Sequence, residues 1–424
     1  MILYFSFNNF RSVKNDCEID FRKISLSQHK ESLINDSVLP VCAIYGPNGG
    51  GKSTIVLALG YLCNLISIPI NQYKGFANYA TPTFKPFMLD EKSREKKTEF
   101  CIIFTLNKNS KEEYKYYLSI FKGEIIEESL YEKKEYGKPA LIFKRNRDMV
   151  EINKSYLSIK QQNSSIPGSS VPYLSLCTIL FKNSLIAEIG NWFTNIGIID
   201  FSDSMLEIAF PAIFAIFCQN TVFKKGVDSL LKKFDLISNY EIVDVPNPIT
   251  GLNDKSIKTY HKVNGKEFEL TYNDESMGTK KVMQVAPSIV LALQKGSLFA
   301  IDELDAKLHP KLLEFIISLF TNPKVNVNGA QLMFTSHDMY TLNSDVFRRD
   351  EIWFACKNEE ESTIVYSLAD IKGEDKRTLR ADLSFSKQYL SGRYGADPYY
   401  NKMITWEEIS NDKKQKLVKQ EKEI

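Results

Sequence analysis

The chain has 424 residues, of which 43% are hydrophobic and 25% are charged. These proportions are close to those of soluble globular proteins and argue against a mostly disordered, collagen-like or coiled-coil chain. The 54 basic and 52 acidic residues leave a net charge of +2, which is small for a protein whose main task is to grip duplex DNA.

Signals for secretion or membrane insertion are weak in this sequence. Residues 1–5 lack the basic flank and small-residue cleavage site of a signal peptide. The longest nearly uninterrupted apolar stretch, residues 208–218, has 11 residues, against the roughly 20 that a membrane helix needs. We expect it to form a buried helix with Pro211 near its start. The seven cysteines show no paired spacing, which favours neither disulfides nor a zinc site, so we expect a cytoplasmic protein without a membrane partner.

The N-terminal part of the chain alternates between predicted strands and turns. Residues 2–7 and a run that ends at Phe21 read as two strands around a turn at 9–12. Residues 41–45 form a short continuous apolar run, which is typical of a strand buried on both faces. A glycine-rich turn and an apolar helix at 53–66 follow directly.

The middle and the C-terminal part differ in their patterns. Residues 99–145 alternate apolar and polar positions between turn residues, which predicts an antiparallel meander. Residues 146–240 are mainly helical in pattern and sustain no heptad repeat, so a long coiled coil is not expected. Strand and helix alternation then returns, with strands predicted at 297–301 and 331–335 and a helix at 311–320.

This alternation at both ends of the chain indicates one α/β domain that is split by an insertion. We predict an N-terminal part at 1–145, a helical insertion at 146–240, and a C-terminal part at 241–424.

A phosphate-binding motif follows the first buried strand. Residues 46–53 read GPNGGGKS and fit G-x-x-x-x-G-K-[ST], in which a glycine-rich loop and a helix N-terminus surround phosphates with backbone N–H groups. Lys52 would reach the β- and γ-phosphates and Ser53 would ligate Mg²⁺. The alternative is a glycine-rich loop without a ligand. The predicted nucleotide-binding residues here are Asn48, Gly49, Gly51, Lys52, Ser53 and Thr54.

The second motif consists of two acidic residues at the end of a predicted core strand. Residues 298–303 read LFAIDE, which places two carboxylates at the carboxyl end of a parallel strand, where ligands bind. Asp302 is suited to hold Mg²⁺ through water, and Glu303 is suited to polarise the attacking water as general base. Alone this pattern also fits a core strand that ends at an exposed turn.

Two further residues extend this group. Asp305 lies three positions after Asp302, and a second apolar strand leads into His337. An imidazole at this position could contact the γ-phosphate and sense hydrolysis, although a lone histidine is more often structural. Of the four histidines in the chain, His309 and His337 fall within this set of motifs.

Residues 275–279 lie at the start of a predicted amphipathic helix, which precedes the apolar strand that ends in Asp302 and Glu303. A Ser-x-Gly sequence by itself caps any helix. Here Ser276 and Gly278 match the signature loop of ABC-type ATPases, whose helix N-terminus is aimed at a γ-phosphate. Such a helix is too far from its own phosphate loop to close that site. The match therefore implies that two copies stack head to tail around two ATP molecules.

The ordered set of motifs resembles a known group of proteins. The set comprises residues 9–12, 46–53, 275–279, 301–310 and 336–337. It is similar to the SMC/RecF-like ABC ATPases, and more closely to the compact bacterial AAA-type ATPases of abortive-infection and other anti-phage operons. The resemblance implies a split ABC-type P-loop head with an antiparallel β subdomain, an inserted helical lobe and no long coiled coil.

The same resemblance implies cofactors and partners. It implies ATP and Mg²⁺ as cofactors, with Arg11 and Asp305 among the nucleotide-binding residues. It also implies a homodimer or higher oligomer and a separate effector, a nuclease or toxin of the TOPRIM or RloB type.

The C-terminal part leaves two questions open. Asp382 and Asp397 are isolated and read as loop carboxylates rather than as a nuclease metal set. Tyr389, Arg393 and Tyr394 either form a docking surface for a partner or pack the tail onto the core. The lysine-rich end of the chain, which alternates with acidic residues, reads as a solvated terminus or as a small basic helix.

Three functions are consistent with the motifs. The first is a regulatory ATPase of an anti-phage system, which holds and controls an effector. The second is a RecF-like repair ATPase that clamps DNA, for which a basic stripe would be the discriminating feature. The third is a transporter subunit, a hypothesis that leaves the inserted helical lobe without an explanation.

Overall fold

The computed structural model describes residues 1–26, 28–74, 83–156, 168–201, 204–246, 253–371 and 384–396. Asp382, Asp397 and the lysine-rich end of the chain lie outside these ranges. The fold is mixed α/β, as predicted.

Within the described residues the strands form three sheets. A seven-stranded sheet has the order β2-β1-β4-β5-β6-β7-β8, a three-stranded sheet has the order β10-β11-β12, and a six-stranded sheet has the order β16-β15-β3-β14-β13-β9. The strands are β1 (Ile2–Asn8), β2 (Cys17–Asp20), β3 (Val41–Tyr45), β4 (Thr98–Phe104), β5 (Glu113–Phe121), β6 (Glu124–Lys133), β7 (Ala140–Asn146), β8 (Met149–Ile152), β9 (Gly197–Ile199), β10 (Asn239–Pro246), β11 (Asn253–Val263), β12 (Lys266–Thr271), β13 (Leu298–Ile301), β14 (Gln331–Thr335), β15 (Ile352–Lys357) and β16 (Thr363–Ser367).

The helices pack between and outside the two larger sheets. The α-helices of the described residues are α1 (Lys52–Tyr73), α2 (Glu91–Arg94), α3 (Tyr173–Leu180), α4 (Leu185–Thr194), α5 (Ser204–Cys218), α6 (Thr221–Phe234), α7 (Met277–Lys295), α8 (Pro310–Thr321) and α9 (Phe385–Leu390). Short 3-10 helices lie at Lys30–Ser32, Tyr272–Asp274, Arg349–Glu351 and Leu368–Asp370.

The six-stranded sheet positions the site. Strand β3 lies at its centre between β14 and β15, to both of which it is parallel. All five β3 side chains are buried, and they alternate between two hydrophobic cores: Cys42 and Ile44 in one, Val41, Ala43 and Tyr45 in the other. Burial on both faces is why the sequence of this strand is continuously apolar. The carboxyl ends of β3, β14 and β13 consequently share one edge.

The seven-stranded sheet is the predicted meander, extended by the N-terminal hairpin. Strands β4 to β8 pair in antiparallel sequence order, and β1 joins β4 from the other side. In β4 buried and partly exposed residues alternate along the strand, so one face covers the core that contains α1. The sheet therefore encloses α1 against the six-stranded sheet.

Helix α1 is long and apolar enough to cross a membrane by length and composition, and it is the one such helix in the described residues. With 22 residues, α1 is longer than the apolar stretch at residues 208–218, which has 11. In the most apolar stretch of α1, 78% of the residues are buried within the protein. Its apolar character is therefore accounted for by its place in the core.

The segment between the meander and β10 contains helices α3 to α6, and strand β9 as well. Helices α3 and α4 pack on α1 in the same core, and β9 pairs with β13 at the edge of the six-stranded sheet. The predicted division at residues 146 and 240 remains a prediction.

The prediction of a buried helix at 208–218 is wrong in part. Helix α5 covers this stretch, but Ile208 is 75% exposed and Ile216 is 60% exposed. Phe210 and Phe214 are buried, because one face of the helix packs on the core and the opposite face does not. Apolar content predicted burial all round, whereas the helix is buried along one stripe.

The aromatic residues near the end of the described chain pack inward. The Tyr389 ring stacks on Phe354 with centroids 5.4 Å apart, and the Tyr394 ring lies 5.3 Å from the same ring. Both tyrosines are buried, so the packing interpretation holds for them and the docking one does not. Arg393 is exposed and donates to Gln388 Oε1 at 3.0 Å.

All seven cysteines are free thiols. Five are buried, in β2, β3, α1, α3 and β15. Burial raises the pKa of the thiols of Cys17, Cys42, Cys63 and Cys177 above the usual value for cysteine.

Candidate nucleotide site

The predicted phosphate loop connects β3 to α1, the context that the motif requires. Gly46 and Gly51 have positive φ angles of 152° and 96°, conformations that side-chain-bearing residues rarely adopt. A Cβ at Gly46 would lie 2.0 Å from the Ala355 carbonyl oxygen. Asn48 and Gly49 are exposed at the tip of the loop. The glycines thus allow the loop to curve and to lie directly on β15.

Lys52 is the first residue of α1 and is 6% exposed. Its Nζ donates to the carbonyl oxygens of Gly46 at 2.9 Å and Pro47 at 3.0 Å. Burial lowers the pKa of Lys52 to about 8, and this decrease is opposed by the charges of Asp302, Asp305 and Glu303. The ammonium group is therefore held inside the loop, beside the predicted acidic residues.

Asp302 and Glu303 follow β13 at the shared edge. The Thr335 hydroxyl, at the end of β14, donates to Asp302 Oδ1 at 2.5 Å and accepts from the Glu303 backbone N–H at 2.7 Å. Asp302 is buried, whereas the side chain of Glu303 is exposed on a backbone with a φ of 51°. Thr335 thus fixes both acidic residues from the neighbouring strand.

Asp305 and His337 are joined directly. Asp305 Oδ2 accepts from the His337 backbone N–H at 2.9 Å, while its Oδ1 is buried without a hydrogen-bond partner. Burial lowers the pKa of His337 below the usual value of 6.5, and the charge of Lys52 lowers it further. At neutral pH the imidazole is therefore uncharged.

The predicted signature residues lie at the start of α7. Ser276 is the N-cap, and its Oγ accepts from the Thr279 backbone N–H at 3.1 Å. Ser276 is exposed and Met277 is 43% exposed. Behind them, the buried Glu275 carboxylate accepts from Thr259 and lies 2.7 Å from His261 Nε2. The N-terminus of α7 is therefore anchored to β11 through Glu275, while Ser276 and Met277 remain exposed to solvent.

Helix α7 also touches the loop that carries Glu303. Lys281 Nζ donates to the Glu303 carbonyl oxygen at 2.5 Å and lies 3.9 Å from the centre of the Phe201 ring. A Cβ at Gly278 would lie 3.1 Å from the Lys307 carbonyl oxygen. Burial lowers the pKa of Lys281 to about 8. The signature helix and the acidic loop therefore form one packed unit.

Arg11 lies on the turn after β1, next to the phosphate loop. It is exposed and has a φ of 50°, and its guanidinium lies 5.9 Å from the centre of the Phe10 ring. The adjacent Ser12 hydroxyl lies 2.8 Å from Thr54 Oγ1. The turn is thus attached to the first turn of α1.

The structure brings together Lys52, Asp302, Glu303, Asp305 and His337 around one corner of the six-stranded sheet. Thr335 and Lys281 also belong to this group and were not predicted from the sequence. For Thr335 the sequence carried a partial signal, because this residue ends the predicted strand at 331–335 and comes two positions before His337. A buried lysine carries no sequence signal, since its spacing in α7 fits any helix.

The residues present fit a magnesium ion. Ser53 supplies a hydroxyl at the start of α1, and Asp302 supplies a carboxylate at the end of β13. Oxygen ligands of this kind, completed by substrate phosphates and water, are those that Mg²⁺ prefers.

Comparison with known proteins identifies the family. The family model described as "AAA domain, putative AbiEii toxin, Type IV TA system" matches residues 41–343. The chain belongs to this family. The match to the AAA domain includes the phosphate loop, the signature residues, both acidic residues and His337. No curated protein matches the sequence.

Several solved structures are similar at low sequence identity. The SMC head domain from Thermotoga maritima is 13% identical, with 86% of this chain and 98% of that chain covered and a TM-score of 0.33. The Smc head domain with a coiled coil and joint from Pyrococcus yayanosii is 10% identical, with 93% and 99% covered and a TM-score of 0.43. An SmcHead bound to the C-winged helix domain of ScpA is 13% identical, with 86% and 97% covered and a TM-score of 0.42.

Proposed function

We propose that this protein binds and hydrolyses ATP as the regulatory or scaffold subunit of an anti-phage defence system. In this proposal it dimerises head to tail around ATP and controls a separate nuclease or toxin. The observation that carries the ATPase part is the corner where Lys52, Asp302, Glu303 and His337 meet at adjacent strand ends. A cation, an acid pair and a neutral imidazole at one such edge are suited to phosphoryl chemistry.

Ser53 and four residues of the corner each have a chemical role in the proposal. The loop N–H groups and Lys52 bind the phosphates, and Lys52 exchanges its carbonyl partners for phosphate oxygens. Ser53 and Asp302 would hold Mg²⁺, which neutralises charge on the transferred phosphoryl group. Glu303 orients and deprotonates the attacking water. His337, uncharged at neutral pH, would hydrogen-bond the γ-phosphate.

The head-to-tail dimer is proposed from the signature residues. Ser276 and Met277 are exposed at the N-terminus of a 19-residue helix, where the helix dipole and free N–H groups favour an anion. In the proposal this anion is the γ-phosphate bound by a second copy. Glu275, Thr259 and His261 support the turn from the side away from that phosphate.

The defence role has support of a different kind. The family model carries the words "putative AbiEii toxin, Type IV TA system", and the motif order resembles the ATPases of anti-phage operons. The effector is accordingly proposed to be a nuclease or toxin, of the TOPRIM or RloB type.

The experiment that tests this function is a pull-down of tagged Glu303→Gln protein from its own host, in ATP and Mg²⁺. We expect a stoichiometric nuclease or toxin encoded beside the ATPase. The same pull-down with Lys52→Ala, which should not bind ATP, is the control for nucleotide dependence. Retention of DNA and recombination proteins instead would contradict the defence role and favour a RecF-like repair clamp.

A further inference from the structure

Three hydroxyl groups meet behind the phosphate loop, and they come from distant parts of the chain. Ser12 lies on the turn after β1, Thr54 on the first turn of α1, and Thr363 at the start of β16. Ser12 Oγ lies 2.8 Å from Thr54 Oγ1 and 2.9 Å from Thr363 Oγ1. Thr54 and Thr363 are buried.

Thr363 contacts the loop itself as well. Its Oγ1 lies 3.1 Å from the Gly50 carbonyl oxygen. A Cβ at Gly51 would lie 1.9 Å from Thr363 Oγ1. Ala355 of β15 lies directly against Gly46 and Gly50. The β15–β16 hairpin therefore packs against the phosphate loop through Ala355 and Thr363.

The same residue holds the N-terminal turn. The Thr363 backbone N–H donates to the Ser12 carbonyl oxygen at 2.8 Å. Ser12 follows Arg11, the residue that the sequence analysis assigns to the nucleotide. One buried residue therefore contacts both the phosphate loop, through its side chain, and the Arg11 turn, through its side chain and its backbone N–H.

We propose that Thr363 is a positioning residue of the nucleotide site, which keeps the phosphate loop in its binding shape through Gly50 and Ser12. The inference rests on the proposed function, because it concerns the same site. Without the hydroxyl, the Gly50 carbonyl and Ser12 lose a buried partner. Nucleotide binding then has to order a looser loop, which weakens affinity without changing the chemistry of the bound complex.

The test uses Thr363→Val, Thr363→Ser and a matched control, Ser362→Ala. Ser362 is the neighbouring residue, is buried, and accepts from the Lys14 backbone N–H at 3.0 Å. Its variant thus loses a partly buried hydrogen bond between the hairpin and the segment that follows the N-terminal turn, while the contact of Thr363 with the loop remains. The measurements are the Kd of ADP, the KM and kcat for ATP, and the Tm without nucleotide.

We expect Thr363→Val to raise the Kd of ADP and the KM for ATP by about tenfold, the size of one lost buried hydrogen bond, with kcat within about twofold. Thr363→Ser should restore both constants. Ser362→Ala should lower Tm as Thr363→Val does but leave the Kd unchanged.

Two results would overturn the role of Thr363: wild-type affinity in Thr363→Val, or an equal loss of affinity in Ser362→Ala. If Thr363→Val does not fold, Ser12→Ala tests the same contact, with the same expected rise in Kd. Failure of the wild-type protein to bind ADP would instead overturn the proposed function itself.

Discussion

The phosphate corner (Lys52, Asp302, Glu303, Asp305 and His337) and the signature turn (Glu275 to Gly278) are two proposed anion-binding sites of opposite construction. At the corner, Lys52 and Asp302 are each 6% exposed, and their polar atoms are held by the loop and by Thr335. At the signature turn, Ser276 and Met277 face solvent, and the polar support lies behind them in Glu275.

In the proposed function, this difference separates nucleotide binding by one chain from the turnover that requires a second copy. The buried Lys52 and the N–H groups of its loop would be preorganised to receive phosphates within a single chain. In the proposal, the exposed N-terminus of α7 binds the γ-phosphate that a second copy holds. Substitutions at the two places should therefore have different effects: loss of nucleotide binding at the corner, and loss of turnover at the signature turn.

Lys52→Ala should abolish nucleotide binding, because the phosphates lose their cation and the carbonyls of Gly46 and Pro47 lose their donor. Isothermal titration with ADP measures this. Lys74→Ala, at the opposite end of α1, is the matched control and should bind as the wild type does. Measurable affinity in Lys52→Ala would show that the corner does not depend on this lysine.

Glu303→Gln should retain ATP binding and slow hydrolysis by about 10²- to 10⁴-fold, the range of a positioned general base. The variant should accumulate as an ATP-bound dimer or larger assembly, visible by light scattering. Wild-type turnover would mean that another group is the base.

Ser276→Arg should leave ATP binding by the monomer intact and reduce turnover by about 100-fold, because an arginine at the exposed turn blocks approach of the second copy. Ser229→Arg, at an exposed position of α6, is the control. Loss of ATP binding by the monomer would contradict the in-trans role of the signature turn.

Nucleotide affinity should fall as pH rises above about 8, by up to tenfold per pH unit, because the pKa of Lys52 is lowered to about 8. Below this pH the amine is a cation and binds phosphate; above it the neutral form lacks that attraction. Titrations with ADP from pH 7 to 10 measure the slope. In Lys52→Arg, whose guanidinium stays charged, the slope should disappear.

Lys281→Met should lower kcat by about tenfold with unchanged nucleotide affinity, since it removes the donor to the Glu303 carbonyl but touches no predicted phosphate ligand. Folding should survive, because the lost ammonium group is one whose burial already disfavours its charge. The neighbouring Lys280→Met loses an ion pair with Glu207 instead and should leave kcat within about twofold.

Sequence alone predicted the parts of this site that are local in the chain. The phosphate loop, the acidic strand end and the signature cap each depend on a few consecutive residues, and β14 was predicted at its observed bounds. Thr335 required knowing that β14 lies beside β13, which is a matter of topology.

The remaining contacts join residues far apart in sequence, so no local pattern reports them. Thr363 reaches Ser12 across 351 positions and Lys281 reaches Glu303 across 22. For α5, composition predicted burial, but the neighbours that would cover Ile208 are not encoded in the helix itself.

The buried free cysteines can serve as probes of local unfolding. A thiol reacts as its thiolate, and burial both shields these sulfurs and disfavours that form. Alkylation of Cys17, Cys63 or Cys177 therefore has to wait until β2, α1 or α3 separates from its neighbours. The order in which the three cysteines are alkylated would rank β2, α1 and α3 by local stability. Added nucleotide should slow the alkylation of Cys63 in α1 the most.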